Sequence, residues 1–163
     1  MFDWVPPLVL MRDAGNDWDI FLRVVYLMFK RDFIDHKVTF RGAELRLKRL
    51  PYRDGREATF YHLISEGEDE EIRQPIEDRC ERIRWPRPVI ENCPSDDLHI
   101  WENTRKGGRR IVIAFPDYSY VVILAVRSGY MLPWTAYPAN RRHTREKLRK
   151  EHQAFLKEAG AAI

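Results

Sequence analysis

Apolar positions change their spacing several times along this chain, and each change predicts a different element. Residues 1–15 hold Trp4, Val5, Leu8 and Leu10 at no regular period, which predicts an irregular arm with apolar anchors. Asn16 or Asp17 can cap a helix running to about Phe33. Its apolar residues (Ile20, Phe21, Val24, Val25, Leu27, Met28) cover more than one stripe. Such a helix packs on two sides and is an unpromising place for a catalytic group.

A β-like stretch follows. Val38–Phe40 and Leu45–Leu50 read as short strands around Gly42, and ELRLKRL alternates apolar and basic residues, as a half-buried strand with a cationic outer face does. Asp54-Gly55 is a hairpin signal. ATFYHLIS, Ala58–Ser65, is predicted as a strand. Glu71–Trp85 is predicted helical, interrupted at Pro75 and stopped by Pro86, with Pro86 and Pro88 stiffening the linker after it.

From Leu98 the pattern is a meander: LHIWEN, a basic turn TRKGGRR, the apolar IVIAF, a PDYS turn, then Val121–Val126 and Tyr130–Tyr137 about Ser128-Gly129. Short turns between consecutive strands predict antiparallel pairing in chain order. Pro133 has no N–H for a ladder, so the last strand belongs at an edge or carries a bulge there. Arg141–Ala159 reads as a helix with few apolar residues, Leu148, Phe155 and Leu156, docking along a narrow stripe. Together these elements predict an α+β fold in one domain, 1–163, with an arm and helix over 1–37 and the core over 38–163.

Composition sharpens this picture in three places. The chain is 44% hydrophobic and 12% aromatic, enough for a core. The net charge of +3 argues only weakly for a nucleic-acid partner, but the charge is unevenly spread. Residues 139–163 hold seven Lys/Arg against three Glu, Glu44–Arg56 is also basic, and acid concentrates in Glu66–Glu71. That acidic block reads as a solvated loop or as an internal mimic of nucleic acid over a basic site. Two cysteines, Cys80 and Cys93, with no CxxC, predict packing roles in a reducing, cytoplasmic setting. The opening MFDWVPPLVLMRDAG lacks a basic n-region and contains two prolines, so a signal peptide is not expected. No apolar run is long enough to span a membrane.

Several side chains could carry chemistry. His62 can act as acid or base near neutral pH, or sit buried against a backbone acceptor. His36, His99, His143 and His152 are scattered without zinc spacing, so no metal or other cofactor is expected. Arg79 and Arg82, at i and i+3 of DRCERIRW, suit a phosphate if helical, or pair with Glu77 and Glu81. Arg84, Trp85 and Arg87 extend that cluster. Thr135 and Tyr137 share one strand face beside the basic helix that bears Arg141, Arg142 and Arg145. Glu102 is either a base or the partner of a cross-strand arginine such as Arg110.

Residues 39–155 resemble the phage and mobile-element nuclease-like proteins of the barnase–EndoU–colicin–RelE superfamily. The likeness lies in TFYHLIS, RCERIRW, the pair HIWENTRKGGRRIVIAF and YSYVVILAVRSGYMLPWTAYP, and the trailing basic helix. It implies N-terminal helices packed on an antiparallel sheet of four or more strands. It also implies a ribonuclease without metal, often a toxin or mobile-element effector, with RNA as substrate and a protein antitoxin or inhibitor as a further partner. In that scheme His62 is the acid/base histidine, Arg79 or Arg82 the phosphate clamp, and Thr135 and Tyr137 the strand hydroxyls. Arg84, Trp85, Arg141, Arg142 and Arg145 would line the RNA path. A second acid/base histidine is missing unless His99 serves. The alternative is a nucleic-acid-binding or inhibitor protein without turnover, in which aromatics stack beside cations.

Overall fold

The computed structural model describes residues 2–70 and 72–161 of the chain. Helices gather in the first two-thirds, and the sheet and a long helix complete the fold. After a 3-10 turn at Met11–Ala14, α1 runs over Trp18–Phe29 and widens into a π-helical turn, Lys30–Asp35. Asp17 caps α1 by accepting the Ile20 N–H at 3.0 Å. Phe21, Val25 and Phe29 form its buried stripe.

β1 (Thr39–Phe40) and β2 (Ala43–Glu44) make a two-residue-per-strand hairpin about Arg41-Gly42, both at positive φ. The expected strand over Leu45–Leu50 does not form a ladder. Its backbone instead caps a helix: Lys48 and Arg49 carbonyls accept the Thr59 and Ala58 N–H groups at 2.9 and 3.1 Å. Those N–H groups lie in a first helical turn, where no intrahelical acceptor exists. The Asp54-Gly55 turn forms as expected, with both residues at positive φ and Arg53 and Arg56 exchanging backbone hydrogen bonds.

Ala58–Ile64 is α2, a helix and not the predicted strand, and all seven residues are buried. An element apolar all round gives no periodicity, so a short buried helix and a buried strand look alike in sequence. The predicted helical region 71–85 shrinks to α3, Glu77–Glu81, because Pro75 pairs with Ser65 in an isolated bridge. Glu71 lies outside the described residues. Pro86 does not begin a stiff linker but opens α4, Pro86–Glu91, where its missing N–H costs nothing at the first helical position.

The meander is a four-stranded antiparallel sheet in the order β3 (His99–Arg105), β4 (Gly108–Ala114), β5 (Tyr120–Arg127), β6 (Tyr130–Pro138). β6 is an edge, and it also bulges: Ile123 pairs with Thr135 and Leu124 with Pro133, which leaves Trp134 as the extra residue. One face of the sheet (Ile111, Ile113, Val122, Leu124, Ala136) joins the core built by α1–α4. The other (Trp101, Val112, Val121, Ile123) lies under α5, Arg142–Ala161, which docks through Leu148 and buries His152. Among the described residues no helix is long and apolar enough to cross a membrane.

Of the three residues expected to dock the last helix, Leu148 is buried while Leu156 is 47% exposed. Leu148→Ala is therefore expected to cost about 2 kcal/mol or more in urea unfolding. Leu156→Ala should stay within about 0.5 kcal/mol.

Candidate functional site

A cleft of about 850 Å³ opens where α2 meets the β6 edge, and its walls come from five separate stretches of chain. Lys48 reaches it from the extended segment that caps α2, and His62 from α2 itself. The loop 65–70 and Arg73 close one side, the β3–β4 turn (Lys106, Gly107) with Arg110 another, and Trp134 and Thr135 of β6 form the floor.

His62 is only 5% exposed. Its Nε2 lies 2.6 Å from Glu70 Oε1, and Trp134 meets the imidazole edge-on with ring centroids 4.6 Å apart. Burial lowers the histidine's pKa from 6.5, and the Glu70 hydrogen bond, which acts the other way, does not overcome it. Burial alone would raise the Glu70 carboxyl, but hydrogen bonds from Lys48 and His62 bring it below its usual value. The pair is thus a neutral imidazole beside a carboxylate. A neutral ring that donates from Nε2 keeps its lone pair on Nδ1. The bulge supplies the Trp134 contact: as the extra residue, Trp134 is re-aimed out of the ladder toward α2.

The cations are placed by the other end of α2. Its last carbonyls need donors, and the Ser65 carbonyl accepts from Arg73 Nη2 at 2.5 Å and Arg79 Nη1 at 3.0 Å. Arg73 is 9% exposed, and its Nε has no hydrogen-bond partner among the described residues. Burial, with Arg79 beside it, pulls its pKa down. Arg79 also pairs with Glu66 at 2.9 Å and lies over the Tyr137 ring at 5.2 Å. Glu66 is 72% exposed at its side chain, and such a surface pair is worth about 0–1 kcal/mol. Arg110 is half-buried, steadied by Asn103 at 3.1 Å, and its pKa is lowered by burial and by Arg105.

Thr135 and Tyr137 do share a sheet face, that of their partners Ile123 and Val121. Thr135 lines the cleft, whereas Tyr137 and Arg79 are not among its lining residues and pack on each other beyond it. Burial raises the Tyr137 phenol pKa, with Arg110 and Arg79 pulling the other way. Arg82 parts from Arg79. It accepts no role in the cleft: its Nη1 donates to the Asp78 carbonyl at 2.9 Å, and its guanidinium covers Trp85 in a second cavity. The reason is the helix itself: α3 ends at Glu81, so Arg82 follows a different backbone path. Trp85 is buried, donating to the Pro6 carbonyl at 2.8 Å, and Arg145 shares that second cavity. Arg84 lies toward Asp32, with Arg31 and Arg87, away from the cleft. Arg141 and Arg142 are exposed at the start of α5.

His99 does not supply a second acid/base group. It stacks on Tyr118 and lies 4.6 Å from the His152 ring, under α5. Glu102 pairs with Arg109 and not with Arg110. Cys80 and Cys93 are buried thiols pushed up to about 12 and about 11 by desolvation, consistent with packing.

Sequence reasoning did not select Lys48, Glu70 or Arg73, and it weighed Arg110 only as a partner for Glu102 and Trp134 only as an aromatic for stacking. Glu70 was visible only as one member of an acidic run, and Arg73 as a lone cation beside it. The proline next to Trp134 was the one signal that pointed to a re-aimed side chain. Among the described residues, no group of three or more His, Cys, Asp or Glu side chains stands together as a metal site.

No protein-family model matches the chain, and no curated protein or solved structure matches it.

Proposed function

We propose that the cleft between α2 and β6 binds the phosphodiester of RNA and cleaves it through the ribose 2′-OH. The observation that carries this reading is Arg73. A nearly buried guanidinium with an unpartnered Nε stands in the same cleft as the His62–Glu70 pair and Thr135. Guanidinium donates in a planar fork that suits phosphate oxygens.

The reaction balances with the groups available. His62 takes the 2′-OH proton on Nδ1 while Glu70 fixes the ring through Nε2. The 2′-oxygen forms a bond to phosphorus as the P–O5′ bond breaks. The products are a 2′,3′-cyclic phosphate and a 5′-hydroxyl, the departing O5′ taking its proton from solvent. The phenol of Tyr137, protonated at neutral pH, stands next to Arg79 and Arg110 and can hydrogen-bond that region. Arg73, Arg79 and Arg110 offset the charge that develops on the equatorial oxygens. Thr135 gives a hydroxyl donor on the cleft floor. No metal or organic cofactor enters this scheme.

A second reading has its own observation: Glu66 and Glu70 already hold Arg79 and Lys48. The cleft could grip nucleic acid in exchange for these carboxylates without turning it over. It would then show salt-sensitive binding and no product.

Purified protein is expected to cleave single-stranded RNA in excess EDTA, leaving cyclic-phosphate and 5′-hydroxyl ends. His62→Gln should lower kcat/KM by about 10²-fold or more. Cleavage that depends on a divalent metal, or is unchanged in this variant, would overturn the mechanism. Because burial lowers the His62 pKa, the base stays neutral below pH 6.5, and the acidic limb of kcat/KM should lie under that value.

Stability gives a test that needs no substrate. Between the lowered native pKa and the unfolded value of about 6.5, the unfolded chain binds more protons at His62 than the folded one. Stability is therefore lost as pH falls from 6.5 toward the native pKa. The urea midpoint should drop from pH 7.5 to 5.5, and drop less in His62→Gln; equal drops would show that His62 is not desolvated.

A further inference from the structure

The sheet face under α5 carries a row of cations toward its β3–β4 turn. Register fixes the row. Asn103 pairs with Arg110 and Arg110 with Ala125, while Arg105 and Arg127 lie two residues beyond Asn103 and Ala125. Arg105, Arg110 and Arg127 therefore share one face, with Arg110 on the diagonal to each of the others, about 7–8 Å away. The other half of this face (Trp101, Val112, Val121, Ile123) is buried under α5. Glu151 of α5 borders the cationic half, accepting from Asn103 at 2.5 Å and from Arg105 at 3.1 Å.

The row is short of counter-charge. Glu151 holds Arg105, but among the described residues Lys106, Arg110 and Arg127 form no ion pair. Burial, and then Arg105, pull the Arg110 pKa down, as crowding by a like charge does. A pocket of about 130 Å³ lies among these side chains, walled by Arg105, Lys106, Arg110 and Arg127 with Ala125 and Trp134. It has room for a few waters, and so for one tetrahedral anion. Among the described residues no carboxylate lines it.

This pocket adjoins the cleft, since Lys106, Gly107, Arg110 and Trp134 line both. Trp134 is the partition. It touches His62 in the cleft, and the Arg127 guanidinium lies 5.2 Å over its ring.

We propose that the Arg105–Arg127 pocket is an anion subsite that takes the backbone phosphate next to the phosphodiester held in the cleft. Arg127, Lys106 and Arg105 donate to its oxygens, and Arg110 stands between the two phosphates. Guanidinium forks suit such oxygens, and contacts of this kind read charge and spacing rather than base. The subsite rests on the RNA reading of the cleft for its place in a strand, but not for its capacity to bind a phosphate.

The test uses 2′-O-methyl oligonucleotides, which cannot be cleaved through the 2′-oxygen. Affinities of a dinucleotide, with one phosphate, and a trinucleotide, with two, are measured by NMR titration over a salt series. The proteins are the wild type, Arg127→Gln and Arg105→Gln; the second variant keeps the Arg127–Trp134 contact, so a disturbed Trp134 in the first does not hide the result. The wild type should bind the trinucleotide roughly 10-fold more tightly, with a log–log salt slope steeper by about 0.7. Replacing one trinucleotide linkage by a neutral methylphosphonate should remove that advantage. Both variants should shrink it and retain dinucleotide affinity. An advantage that survives the methylphosphonate or both variants, or equal losses for both lengths, would overturn the subsite while leaving the cleft reading standing. If neither oligonucleotide binds the wild type, the cleft reading fails, and inorganic phosphate decides the pocket. Saturable shifts of the Arg105 and Arg127 Nε–H resonances would then support an anion site, and unmoved resonances would overturn it.

Discussion

Burying all of Ala58–Ile64 imposes the constraint on which the candidate site depends. A helix with no solvent-facing side leaves its terminal N–H and C=O groups away from water, and each unpaired group there would cost on the order of 1–3 kcal/mol. The chain answers at both ends. Carbonyls of Lys48 and Arg49 take the first N–H groups, and the guanidiniums of Arg73 and Arg79 converge on the Ser65 carbonyl at the other end. These answers bring Lys48 and Arg73 into the cleft lined by His62, with Arg79 beside Arg73. Two of the cleft's cations, Lys48 and Arg73, thus stand there in the first place through capping.

Fixed cations need a compensating charge, and the acidic run supplies it. Glu70 joins Lys48 to His62, and Glu66 holds Arg79. The two carboxylates differ in kind. Glu70 is a partly buried member of a hydrogen-bonded pair that sets which imidazole nitrogen carries the proton. Glu66 is a solvated partner in a pair worth about 0–1 kcal/mol. Within the acidic block, Glu66 is thus solvated while Glu70 is held in the cleft by Lys48 and His62.

The β6 edge links the site to the sheet. Pro133 interrupts the ladder, Trp134 becomes the extra residue, and the register beyond it sets Thr135 and Tyr137 on the face of Ile123 and Val121. Without the bulge the residues after Pro133 would exchange faces, since the side-chain period in a strand is two. A single proline thereby decides both the Trp134–His62 contact and the side on which the two hydroxyls stand.

Much of the sheet could be read from the sequence. The four-strand meander, its order, the edge position and bulge at Pro133, the Asp17 cap and the basic last helix all follow from local patterns, because turns, caps and alternating strands are local physics. The same holds for the shared face of Thr135 and Tyr137. What local pattern could not give was the conformation of ATFYHLIS, whose complete burial erases periodicity, or the course of ELRLKRL, whose backbone serves a helix end and not a ladder. Nor could it separate Arg79 from Arg82, three residues apart, of which the first binds the Ser65 carbonyl and Glu66 while the second lines the Trp85 cavity. The grouping of Lys48, His62, Glu70, Arg73 and Arg110 joins side chains up to 62 residues apart, and only long-range packing against the β6 edge brings them together. The chain by itself determined its elements and their order; the tertiary structure decided which charges meet, because the ends of a buried helix accept hydrogen bonds only from groups that the fold delivers there.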